Sequence, residues 1–289
     1  MQSWPHSLRR FLFVCLLSIG IGTGAGIPPA LANFDWQRSE GPWGGMIFAL
    51  AEAPNGDLYA GSWRYGGIFR STDVGASWNL SGLWGARVPD IIVDNAGRIF
   101  ASVDNGDVQR STDNGTSWPL LGSSLTGPNG GLAYDDVLDI LYAARPGTVS
   151  RSTNGGDSWQ AVSTNFPSLE VRALAAVPNG GPLFVGTGSD KAYRSEDGGV
   201  TWNLFDSGLG ANRCDDFLIV PEGDIYVATY GAGIYRTEWA GSSWTQLSQG
   251  LTNLFCYSIE RDGAGRLWAG TAEKGPFVSV DDGLNWSPA

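Results

Sequence analysis

Six copies of one short stretch constrain this chain more than any other feature: RSTDVGASW at 70–78, RSTDNGTSW at 110–118, RSTNGGDSW at 151–159, RSEDGGVTW at 194–202, RTEWAGSSW at 236–244 and VSVDDGLNW at 278–286. They share the pattern S/T-x-D-x-G-x-x-W. The tryptophans, Trp78, Trp118, Trp159, Trp202, Trp244 and Trp286, follow one another at intervals of 40, 41, 43, 42 and 42 residues. A steady period of that length means one supersecondary unit repeated as a propeller or solenoid, because a single unit cannot bury its own apolar face.

The first repeat shows what the unit is. An apolar strand at 46–51 leads to an Asn55-Gly56 hairpin signal, a second strand covers 58–61 and a third 67–70, and the box turns the chain into a fourth that begins at Trp78. Four short antiparallel strands in such a repeat describe a propeller blade. The expected fold is therefore all-β, a six-bladed β-propeller of four-stranded antiparallel blades. The second strands read LYAG, IFAS, LYAA, LFVG, IYVA and LWAG, and the aromatic at their second place (Tyr59, Phe100, Tyr142, Phe184, Tyr226, Trp268) is needed once per blade, as packing between blades would require. Arg70, Arg110, Arg151, Arg194 and Arg236 precede the box in five blades and read as scaffold for the same reason.

Within the box, the acid and hydroxyl side chains can bond nearby amides, the glycine supplies a backbone conformation other residues resist, and the tryptophan anchors the turn. Its structural residues are thus Asp73, Asp113, Asn154, Asp197 and Asp281 with the six tryptophans; Trp239 stands where the fifth acid would be. To close the ring, the segment Phe34-Asp35-Trp36-Gln37, in register with the fourth strands, is expected to complete the last blade. It competes with the three residues beyond Trp286.

This motif resembles the Asp-box, or BNR repeat, of sialidases, sortilin-like receptors, xyloglucanases and photosystem assembly factors. The resemblance covers essentially all of the chain after residue 32. It implies a propeller, six-bladed as in sialidases, with the box as a structural turn between third and fourth strands on the face away from the active site. It implies no particular activity. The Arg-Ile-Pro motif that precedes the first sialidase blade is missing, since Ile27-Pro28 has no arginine before it, so no sialidase catalytic residue carries over. The photosystem-related propellers look seven-bladed, whereas this chain supplies six units.

Residues 1–32 read as a secretory signal: Arg9 and Arg10, an apolar run over 11–21, and Ala30-Leu31-Ala32 as a cleavage site. Residues 33–289 then form a single propeller domain, secreted or periplasmic, with no later stretch long enough to cross a membrane. The whole chain carries a formal charge of −11, and the signal removes two arginines and no acid, leaving −13. That excess opposes binding to nucleic acid or anionic membranes.

The only histidine, His6, lies in the signal, which excludes histidine-activated nucleophiles and imidazole metal sites from the remainder. No metal and no cofactor are expected. Asp104-Asn105-Gly106-Asp107 resembles part of a calcium loop but lacks the ligands that would follow. Cys214 and Cys256 occupy the same place in neighbouring repeats, either as a disulfide between inner strands or as two buried thiols. A monomer is expected.

What recurs in every blade is scaffold, and what occurs in one blade needs another reason. The unrepeated residues gather in the loops joining second to third strands and each fourth strand to the next blade, which emerge on one face. There the first two blades contribute Trp43, Trp63, Arg64, Tyr65, Trp84 and Arg87; farther round, Arg145, Arg213 and Tyr230 share the surface with Asp90, Asp104, Asp190 and Glu273. Flat aromatic faces suit stacking on sugars or peptides, and arginine forks suit carboxylates; solvated loops and rim packing are the plainer alternative. Two functional classes follow. One is a scaffold that binds a protein or carbohydrate partner, favoured by loops too short to build a deep, dry pocket. The other is a glycoside hydrolase, sialidase-like or endoglucanase-like, running on carboxylates, tyrosine and arginines.

Overall fold

Each repeat folds as an antiparallel meander. The computed structural model describes residues 41–289 except 43–45, 64–65, 105–106, 120–124, 126–129, 164–165, 167–169, 190 and 211–212. In the first blade, strands Ile47–Glu52, Leu58–Ser62, Ile68–Ser71 and Asn79–Gly82 pair in sequence order, each within two residues of its place in the sequence pattern. Five sheets have four strands. The second has three described strands, Asp90–Val93, Ile99–Ser102 and Val108–Ser111. Six such sheets and no helix among the described residues make a six-bladed β-propeller. Burial in the first blade falls from the second strand outward: Leu58–Ser62 is nearly all buried, whereas Asn79 and Leu80 on the outermost strand are exposed.

The five seams from the first blade to the sixth follow one rule. Tyr59 of the first blade shares an apolar cluster with Ile91, Ile99 and Trp118 of the second, and Phe100, Tyr142, Phe184 and Tyr226 meet Trp159, Trp202, Trp244 and Trp286 in the same way. In blades two to six the box tryptophan is therefore a wedge between its own blade and the one before it, whereas Trp78 clusters with Ala60 and Phe69 of its own blade; truncating a core aromatic of this kind typically costs about 3–5 kcal/mol. Two of the repeated arginines also cross seams, Arg110 donating to the carbonyl of Gly155 (2.5 Å) and Arg194 to that of Gly241 (2.8 Å).

Inside the first box, the Ser71 hydroxyl donates to Asp73 (2.7 Å) and accepts the Gly75 amide (2.8 Å), while Asp73 accepts the Ser77 amide (2.9 Å) and hydroxyl (2.6 Å). Asp113, Asp197 and Asp281 repeat the arrangement. Asn154 preserves it by accepting the Ser158 amide (3.0 Å) and donating its own amide to the Ser158 hydroxyl (2.8 Å). The fifth box differs. Five box glycines have φ between 79° and 93°, but Gly241 is not left-handed, and its turn closes through its amide and the Glu238 carbonyl (2.9 Å). Trp239 has no oxygen with which to gather the amides, so the main chain closes the turn alone.

Hydrogen bonds from Ser77, Ser117 and Thr201 hold the carboxyls of Asp73, Asp113 and Asp197 down to about 2. A carboxyl depressed on folding stabilises above its unfolded pKa, and that contribution is lost as pH falls through the folded one. The denaturation midpoint is thus expected to hold above about pH 5 and to fall between about pH 4 and 2. Asp→Asn changes in these boxes should flatten that limb; an unchanged profile would remove the boxes from acid unfolding.

Val74 carries φ 58° and is 57% exposed, a left-handed β-branched residue where Asn114 and Gly155 serve in other boxes. Val74→Asn is expected to stabilise the chain by about 1 kcal/mol, read as a shift in urea midpoint.

Two sequence expectations change, and an alternative left open for the cysteines is decided. Asp90, assigned to the loops, lies 3% exposed in an inner strand and accepts the Leu132 amide of the next blade (2.7 Å). The outer place of the sixth blade is held by Ser287–Pro288, paired with Phe277 and Val278. Two residues suffice there because the fourth strands of blades four and five, Asn203–Leu204 and Thr245–Gln246, are equally short; the segment at 34–37 lies outside the described residues. Cys214 and Cys256 are separate buried thiols, and burial raises both pKa values, that of Cys256 to about 12.

Candidate ligand-binding site

The inner strands deliver side chains to the loop face through a repeated irregularity. In blades one, four, five and six the first strand bulges, between Ile47 and Ala49, Val171 and Ala173, Cys214 and Asp216, and Cys256 and Ser258. A bulge takes one residue out of alternation and re-aims it. The four residues so released are Phe48, Arg172, Asp215 and Tyr257.

Three of them join one cluster over blades four to six. Arg213 donates through Nε (2.9 Å) and approaches through Nη2 (2.8 Å) the same oxygen of Asp215, and its guanidinium lies 4.4 Å from the Tyr230 ring centre and 5.6 Å from that of Tyr257. Arg172 stands 3.0 Å from Glu170 and 4.0 Å from Asp215. Tyr230 packs on Phe255 (4.7 Å) and Tyr257 (5.5 Å), with both loop sets contributing through a bridge between Tyr230 and Phe255. Burial raises the Tyr257 pKa. Tyr230 remains 39% and Phe255 43% exposed, forming an aromatic shelf beside the arginine.

The residues expected on blades one and two divide. Trp63 stacks on Phe48 (4.5 Å, 25° between planes), with Arg87 5.2 Å from its ring and 3.8 Å from Asp104. Trp84 is 74% exposed at a turn tip whose Leu83 has φ 54°. Trp43, Arg64, Tyr65 and Asp190 lie outside the described residues. Arg145 ends the strand Ile140–Arg145, where burial lowers its pKa.

The sequence reading found Arg213 and Tyr230 but missed Arg172, Asp215, Tyr257, Phe255 and Glu170. Aligning the first strands would have put Phe48, Arg172, Asp215 and Tyr257 in one column. Taken for regular strand, that column looked like ordinary alternation.

Ion pairs stand at both ends of the blades, Arg70 with Asp57 and Arg110 with Asp157 among those at the box end. Loop-face bases stand against acids, Arg87 with Asp104, Arg172 with Glu170, Lys191 with Asp206 (2.7 Å) and Arg213 with Asp215. The box-end acids Asp73, Asp113, Asp197 and Asp281 bond hydroxyls, side-chain amide and backbone amides. A hollow of about 340 Å³ at that end is lined by Arg70, Leu80, Ser81 and Gly115, but Arg70 is engaged by Asp57 (2.6 Å) and the Gly115 carbonyl by Ser81 (2.6 Å). Among the described residues, no three acidic, histidine or cysteine side chains group as metal ligands, and no helix is long and apolar enough to cross a membrane.

No protein-family model matches the chain, and no curated protein does. Solved structures do. The extracellular domain of a putative hybrid two-component system from B. thetaiotaomicron matches with a TM-score of 0.70 at 14% identity, over 86% of this chain and 34% of that one. A GH74 enzyme from Niastella koreensis matches at 0.63 and 20% identity, over 88% and 38%. YCF48 bound to D1 peptide matches at 0.72 and 17% identity, over 90% and 85%. The likeness is one of propeller fold. This chain spans about a third of the extracellular domain and of the GH74 enzyme.

Proposed function

We propose that the chain is an exported propeller, secreted or periplasmic after cleavage of residues 1–32, that holds a protein or carbohydrate partner on its loop face. The observation that carries this reading is the exposed shelf of Tyr230 and Phe255 set against the fixed Arg213–Asp215 pair. Large exposed aromatics backed by oriented polar groups suit recognition, since they offer contact area with little conformational freedom to lose. Trp63, Trp84, Arg87 and Arg145, with Trp43, Arg64 and Tyr65, extend the proposed surface. The Asp-box resemblance fits the same division of labour, with the boxes as turn-makers at the opposite end.

A hydrolase needs a proton donor and a nucleophile or base. Here Arg172 and Arg213 face Glu170 and Asp215, so a substrate carboxylate would have to displace an internal one. The full chain is expected to release nothing from a fluorogenic sialoside or from xyloglucan, and to be retained on arrayed glycans or peptides. Trp84→Ala with Arg213→Ala should weaken retention, and Trp84→Ala alone, at a side chain 74% exposed, should leave the thermal midpoint unchanged. Turnover, or retention unchanged by both substitutions, would overturn the reading.

A further inference from the structure

Resting on the loop-face reading, we infer that the shelf over blades four to six takes a neutral saccharide, one ring stacked between Tyr230 and Phe255 and its hydroxyls bonded to Arg213 and Glu170. Three observations converge on that chemistry. Two exposed aromatic rings adjoin one another, 4.7 Å between centres and inclined at 59°, so the apolar C–H face of a pyranose can stack on one while the other flanks its edge. Beside them lie two arginines and two carboxylates whose charges balance: Glu170, Arg172, Asp215 and Arg213. A balanced set offers donors and acceptors to a neutral ligand while giving an ion no net attraction. Vicinal hydroxyls, each donor and acceptor at once, can bond to the Arg213 guanidinium and the exposed Glu170 carboxylate, while the buried Asp215 holds the arginine in place.

The main chain around the shelf argues against an extended peptide. The amides of Tyr230, Gly231 and Gly233 donate to the carbonyls of Arg213 (3.2 Å) and Leu254 (3.0 and 2.9 Å), and the Phe255 amide donates to the Asn253 side chain (2.9 Å). Strand addition needs a row of unengaged main-chain groups. These loops have spent theirs on one another, so recognition falls to side chains, as it does for sugars.

The test is calorimetric titration of the full chain with neutral hexasaccharides of glucose, mannose, xylose and N-acetylglucosamine, at low and high salt, with sialyllactose and an arrayed peptide library in parallel. At least one neutral hexasaccharide is expected to bind, with affinity changing less than about twofold with salt. Tyr230→Ala with Phe255→Ala should weaken it by about tenfold or more, Tyr230→Phe should restore most of it, and Val280→Ala, at an exposed side chain of the sixth box, should leave it unchanged. Peptide binding without saccharide binding would refute the ligand class and leave the loop-face reading standing. No binding of either kind would sink both. Saccharide binding that survives the double substitution, or that follows salt steeply, would refute this site.

Discussion

Replacing Asp135 with alanine is expected to lower the unfolding free energy by about 4 kcal/mol. The residue is 1% exposed. One carboxylate oxygen accepts the amides of Val137 (3.1 Å), Leu138 (3.1 Å) and Asn179 (2.9 Å), and the other accepts that of Gly180 (2.7 Å), so it pins a turn of the third blade to a turn of the fourth. Alanine would leave those donors without their acceptor; hydrogen bonds to a charged group contribute about 1.5–3 kcal/mol each net of exchange with water, of which solvent reaching the turn amides recovers a part. Asp135→Asn should lose much of the same stability, because its amide would present a donor to one of the donors it must satisfy. Urea denaturation reads the effect directly; a loss below about 1 kcal/mol would mean that water fills the gap.

Asp215→Ala is expected to cost about 3 kcal/mol and to dismantle the candidate site. Its side chain is 7% exposed, while those of Arg213 and Arg172 are 24% and 27% exposed. Both guanidiniums would lose a carboxylate in a partly dry setting, and Arg213 would lose the anchor that holds it over Tyr230. Adding Arg213→Ala should recover part of the loss, giving a coupling of about 1–2 kcal/mol in a double-mutant cycle. Strictly additive losses would show that the pair is a bystander to the packing of the shelf.

The fold was legible because its signals are local and redundant. A hairpin turn, an aromatic in each second strand and a Trp at the end of each box recur six times, so one lapse such as Trp239 changes one turn and leaves the blade count intact. The site was legible only in part. Arg213 and Tyr230 stand out as unrepeated loop residues, but Arg172, Asp215 and Tyr257 sit within strands that read as scaffold, and only the bulges take them out of alternation. Asp90 shows the converse error: an acid near a loop in sequence proved to be a buried acceptor for the neighbouring blade, since pairing with Ser102 draws it into the inner strand.

By itself, then, the sequence determined the repeat, the six blades, the turn chemistry of the boxes and the end of each blade at which variation collects, because these depend on residues close together in the chain. The tertiary structure decided which terminal segment lies beside the third strand of the last blade, that the two cysteines remain thiols, and that residues from blades four, five and six meet in one charge-balanced cluster with an aromatic shelf. Those outcomes depend on distances between repeats and on the register of each bulge, and a period of about 42 residues leaves both undetermined.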